Sequence, residues 1–246
     1  MSSDTLPQRF CLTQASLPRA RLQRTKLERL YVCEWTTEIA LFVTAAVMPP
    51  VCQVNGKSTE NCASAARLLH LQLGPPTCGS SRPSGVHTPC ISRNDFRLLC
   101  EAIASNNTLL SIAITEFDFG LRQTCMQNLC KAIAENSFLC LVDLCNNNFG
   151  NNGALALAHA LKKNKSVREL LVPNNAIWKE GLLALADAIE QNTTLCSLVL
   201  RFQSTANATQ RNTNDEQDFR ENVADIGTLV RISMRLDSNQ KRRTED

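Results

Sequence analysis

The sequence predicts an α/β repeat solenoid, and three observations carry that reading. An apolar pattern, Leu-x-x-Leu-x-Leu in outline, recurs as Leu109/Ile112/Ile114, Leu139/Val142/Leu144, Val167/Leu170/Val172 and Leu195/Leu198/Leu200. Successive copies are offset by 30, 28 and 28 residues, a period at which each unit must stack on its neighbours to bury its apolar face. Between the copies, further columns align: Leu99, Leu129, Leu157 and Leu185; Ala102, Ala132, Ala160 and Ala188; Ile103, Ile133, Leu161 and Ile189. Apolar residues at i, i+3 and i+4 between good helix formers describe one face of a short helix.

Each unit is therefore a short strand, a turn, a helix and a second turn. Each helix ends near an Asn (Asn106, Asn136, Asn164, Asn192) that leads into the next strand. Gly153 and Gly181 stand where the later helices begin, where a backbone without Cβ turns easily. The first full unit lacks that Gly and carries two extra residues around Phe119–Thr124, expected to bulge from the turn between strand and helix.

The stretches Leu139 to Gly153 and Val167 to Gly181, each running into an Ala-Leu-rich helix, resemble leucine-rich repeats of the ribonuclease-inhibitor type. The resemblance spans roughly residues 94–202 and implies a short leucine-rich-repeat solenoid, parallel strands on the concave side and helices on the convex side, that binds proteins. The Asn that follows the strand in that pattern stands at Asn147 and Asn175; Phe117 and Gln203 replace it in the outer copies, as terminal units allow. Within this class, Glu190-Gln191-Asn192-Thr193-Thr194-Leu195, the ending Leu200-Arg201-Phe202 and a closing helix with basic residues resemble the C-terminal repeat domain of tropomodulin and leiomodin. That likeness implies a partner in actin, through capping or nucleation of filaments. No stretch reads as the tropomyosin-binding helices that precede the domain in that family. Inhibition of a ribonuclease would need a longer horseshoe.

The flanks read differently. Residues 1–93 are expected to form a basic, mostly irregular N-terminal region, with ten Lys/Arg against five Asp/Glu; residues 94–202 carry nine against ten. The repeats thus offer no basic groove for nucleic acid. The apolar run Ile39–Met48 is too short to span a bilayer. Cys62–Leu73 could supply a helix and strand of a degenerate earlier unit. Residues 203–246 read as a polar linker, a capping helix from about 219 to 236 and a charged tail. Phe219, Val223, Ile226 and Val230 form the apolar stripe expected to cover the open end of the last repeat; gripping a partner is the other use of such a helix.

Motifs that carry chemistry are few. Of the twelve Cys, Cys100 and Cys130 share a column with Ala158 and Ala186, which makes them small core residues in a reduced, cytoplasmic protein. No CxxC occurs, and Cys62, Cys78, His87 and Cys90 match no zinc spacing. No phosphate loop or nucleophile elbow is present, and no His stands near a plausible nucleophile, so neither an enzyme nor a cofactor is expected.

Alternation within the strands places Ser111, Ala113 and Thr115 on the concave sheet. Leu141, Asp143, Cys145, Glu169, Leu171, Pro173, Ser197, Val199 and Arg201 continue it as the candidate partner-binding residues. An apolar strip with a few charges suits a protein partner.

Overall fold

A computed structural model describes residues 10–13, 15–18, 27–32, 36–48, 52–54, 57–59, 68–74, 91–200 and 226–245. In chain order the elements are β1 (Phe10–Leu12), β2 (Arg29–Val32), α1 (Thr37–Val47), β3 (Cys52–Val54), β4 (Lys57–Thr59), β5 (His70–Leu73), α2 (Arg93–Ser105) and β6 (Ser111–Ile114). Then follow α3 (Gln123–Glu135), β7 (Leu141–Asp143), α4 (Gly150–Lys163), β8 (Glu169–Leu171), α5 (Lys179–Gln191), β9 (Ser197–Val199) and α6 (Ile226–Glu245). Seven strands form one parallel sheet in the order β1-β2-β5-β6-β7-β8-β9. A separate antiparallel pair, β3-β4, stands outside it.

The sheet therefore reaches well past the expected start at residue 94. Three strands from the supposedly irregular flank join it, and the apolar run Ile39–Met48 becomes α1. Thr36 starts α1 by accepting from the Ile39 amide at 3.2 Å. Ile39, Val43 and Val47 are fully buried in the same core cluster as Leu30, Leu71 and Ile112, and that one cluster runs from Leu12 to Ile232. Of the degenerate unit expected at Cys62–Leu73, the strand is present as β5; residues 60–67 lie outside the described residues.

Two ladders of buried Asn side chains hold the units in register. At the helix ends, Asn136 Nδ2 donates to the Ile103 and Asn106 carbonyls (2.7 and 2.8 Å), while its Oδ1 accepts from the amides of Phe138 and Leu139 (2.8 and 2.7 Å). Asn164 and Asn192 repeat that arrangement, and Asn106 Nδ2 reaches the Val47 carbonyl at the end of α1. After the strands, Asn147 Nδ2 donates to the Ile114 carbonyl at 2.6 Å, and its amide donates to Asn175 Oδ1 at 2.9 Å. An amide side chain carries two donors and an acceptor, so each Asn satisfies groups that a buried turn would otherwise orphan. In this second column the Phe117 amide still donates to Asn147 Oδ1 at 2.8 Å, but its side chain ends the ladder. It stacks on Phe96 with ring centroids 4.8 Å apart, packs on Phe119, and lies under Arg122 at 4.5 Å.

Three further expectations change. The insertion after β6 is only partly a bulge: Phe119 is buried in the aromatic cluster, while Leu121 projects, 81% exposed. Gly153 and Gly181 lie inside the helices, not at a turn, and are needed for space. A Cβ on Gly153 would stand 2.5 Å from that of Phe149, and one on Gly181 would stand 2.9 Å from that of Ala154. The left-handed turn residues lie earlier, at Glu116, Asn146 and Asn174 and again at Asp118, Asn148 and Ala176. Finally, the closing helix runs to Glu245 and uses another face. Thr228, Ile232 and Asn239 are buried and Leu236 packs on the core, whereas Val230 is exposed. Phe219 and Val223 lie outside the described residues. The cap itself is formed: α6 lies against α5, Arg231 pairs with Glu190 and Asp187, and Asn239 joins the helix-end ladder.

Candidate functional site

Strand register aligns the side chains of the concave face into rows that cross the sheet. One row is Arg29, His70, Ser111, Leu141, Glu169 and Ser197; the next is Tyr31, Gln72, Ala113, Asp143, Leu171 and Val199. The intervening residues, Leu30, Leu71, Ile112, Val142 and Leu170, are buried beneath them. The structure thus brings together Leu141, Glu169, Leu171, Ser197 and Val199 as adjacent, at least partly exposed side chains, with Pro173 beyond the end of β8. Arg201 lies outside the described residues.

Three residues expected on this face are withdrawn from it. Thr115, Asp143 and Cys145 are all buried. The chain turns after Asp143, and Asp143 Oδ1 accepts from the Cys145 amide at 3.0 Å, folding both side chains into the turn. Burial raises the Cys145 thiol pKa, and the hydrogen bond and charge of Asp143 raise it further, so the sulfur stays protonated and poorly nucleophilic.

The remaining thiols sort by depth. Burial pushes Cys130 up to about 12, and Cys100 is raised for the same leading reason. These are the small core residues that their shared column with Ala implied. Cys11 departs from the expectation of reduced thiols, since it is disulfide-bonded. Among the described residues no group of three or more His, Cys, Asp or Glu is placed to hold a metal ion; Cys62, Cys78, His87 and Cys90 fall outside them. No helix among the described residues is long and apolar enough to cross a membrane.

The N-terminal half of the face escaped the sequence reading. Arg29, Tyr31, His70 and Gln72 occupy the same two rows as the residues singled out above. A signal was available: Leu27/Leu30/Val32 and Leu68/Leu71/Leu73 each carry the strand pattern, and Leu27, Leu68 and Leu109 stand 41 residues apart. The longer spacing breaks the 28-to-30-residue period and hides the first units from a search at that period.

A family model described as the TMOD/LMOD leucine-rich domain matches residues 119–246, just over half of the chain's 246 residues. The chain belongs to the tropomodulin/leiomodin leucine-rich domain family. The match takes in α3 to α6, the Asn147–Asn175 ladder and the capping helix. Among solved structures the chain is similar to "Leiomodin-1 Actin-Binding Site 2 (ABS2)", with 18% identity and a TM-score of 0.48 over 63% of this chain and 78% of that one. It is also similar to the tropomodulin C-terminal domain of Caenorhabditis elegans, with 16% identity and a TM-score of 0.47 over 63% of this chain and 80% of that one. A comparison with curated proteins finds no match. As a tropomodulin/leiomodin-type repeat domain, the molecule has the architecture of a binding surface: a rigid solenoid that presents one extended face.

Proposed function

We propose that this chain is a non-catalytic, cytoplasmic protein-interaction module whose partner is actin, bound through the concave sheet around Leu141, Glu169, Leu171 and Val199. The observation that supports the actin reading is the family match over residues 119–246. The observation that supports the concave face is its composition. Leu141 and Leu171 are apolar yet partly exposed on neighbouring strands, with the exposed carboxylate of Glu169 beside them. Partly exposed apolar groups next to a charge are what a protein partner can desolvate and pair.

Two measurements test this. Purified protein should co-sediment with filamentous actin and slow elongation at pointed ends; failure of both removes actin as the partner. Leu171→Arg should abolish the interaction with an unchanged melting temperature, because Leu171 is not part of the buried core. Retained binding by that variant would move the site to another surface.

A further inference from the structure

At the N-terminal end of the concave face, Arg29, Tyr31, His70, Gln72, Ser111 and Ala113 line a depression of about 140 Å³. Arg29, His70 and Ser111 are register partners on three adjacent strands. His70 Nδ1 lies 2.6 Å from Ser111 Oγ. That contact occupies Nδ1 and leaves Nε2 as the ring's free nitrogen. In the neutral tautomer in which Ser111 donates to Nδ1 the proton sits on Nε2; in the charged ring Nδ1 donates to Ser111 and Nε2 again carries a proton; in the other neutral tautomer Nδ1 donates to Ser111 and Nε2 is an acceptor. In the first two forms Nε2 is a donor, the form an incoming carboxylate selects, and it makes no hydrogen bond among the described residues. The Arg29 guanidinium, on the next strand, makes no ion pair among them. The His70 pKa is lowered by burial and then by Arg29, with Glu28 opposing, which places the cation close enough to be felt by the ring.

Two donors, one permanently charged, converge on a hollow in an otherwise extended sheet face. We propose that this pocket binds the side-chain carboxylate of an extended acidic segment in a protein partner, held by Arg29 and by His70 Nε2–H. The charge order along the face defines the occupant further. Leu141 follows the pocket in the same row and Glu169 follows Leu141, so the cationic end passes through an apolar stretch to an anionic one. From β5 to β8 is three strand spacings, about 14 Å, or about four residues of extended chain laid across the strands. A complementary segment carries Glu or Asp at one end, an apolar residue between, and Lys or Arg about four positions away. This goes beyond the actin reading: Arg29, His70 and Ser111 precede the residues matched by the family, and the test contains no actin.

The test uses the full chain and two short fluorescein-labelled peptides rich in Thr and Val. One has Glu and Lys about four positions apart; the other has Gln in place of Glu. Fluorescence anisotropy should show the Glu peptide binding at least about tenfold more tightly, as expected for one charge-assisted contact. Arg29→Ala should remove that preference and Arg29→Lys should restore part of it, while both keep the wild-type circular dichroism melt, since Arg29 is exposed. His70→Gln should weaken the Glu peptide selectively. Equal affinity for the two peptides, no binding of either, or a Glu preference that survives Arg29→Ala would overturn the proposal.

Discussion

Asn239, on the closing helix, donates from Nδ2 to the Asn192 carbonyl at 3.2 Å, the same contact by which Asn192 reaches the Asn164 carbonyl one unit earlier. Its second bond differs from that of a repeat Asn: it goes to the Leu195 carbonyl at 2.7 Å, at the entry to the last strand. The ladder that begins at the Val47 carbonyl thus closes on a helix that is not a repeat. Asn239 is an imperfect rung, because its buried Oδ1 has no hydrogen-bond partner among the described residues.

That difference between rungs can be measured. Asn164→Ala removes two carbonyl contacts and the two bonds its Oδ1 accepts from Ser166 and Val167, at a fully interior position. The orphaned groups should cost about 3 kcal/mol or more. Asn239→Ala loses only its two donor bonds and no accepted bond, and should cost less, about 1–2 kcal/mol. Urea unfolding of both variants checks the order; equal losses would mean the ladder carries no positional weight.

Gly153→Ala should destabilise the protein although alanine is the better helix former. Propensity favours the change by about 1 kcal/mol. Overpacking against the buried Phe149 side chain costs about 1–3 kcal/mol, and the 2.5 Å approach points to the upper part of that range. A lowered melting temperature is expected, and a raised one would show that Phe149 can move aside.

Docking of the closing helix should loosen in acid. The hydrogen bond from Arg231 holds the Glu190 carboxyl below its ordinary value, and the charges of Arg231 and Arg235 act in the same direction. A carboxyl with a depressed folded-state pKa contributes stability that is complete above the ordinary glutamate range and is lost as pH falls through the lowered value. The stability difference between wild type and Arg231→Ala should therefore be constant near neutrality and disappear in acid. Both groups are exposed, so the difference should also shrink with salt. A difference that grows on acidification would assign the stabilisation to another contact.

How much of this could be read from residues alone depends on where the period holds. From Leu99 to Leu195 the columns name the core correctly, because the units are nearly equal in length and bury the same positions. Phe117 shows where column logic fails: the position is kept but filled by an aromatic ring, which exchanges hydrogen bonds for stacking on Phe96. Asp143 and Cys145 fail for a local reason, since strand alternation stops once the chain turns. Val230 lay on the expected stripe, yet α6 buries Ile232 and Asn239 and is tied down by polar contacts, Arg231 to Glu190 and Asn239 to Leu195, that hydropathy does not register. The pocket at Arg29 and His70 was hidden by spacing alone.

That spacing has a consequence of its own. Arg29, His70, Ser111, Leu141, Glu169 and Ser197 are consecutive register partners although 41, 41, 30, 28 and 28 residues separate them. The rise from one coil to the next is therefore independent of how much chain each coil contains. Leu121, projecting beside Gly120 where the first full coil is longest, marks a point at which chain can be added without disturbing the order of the sheet.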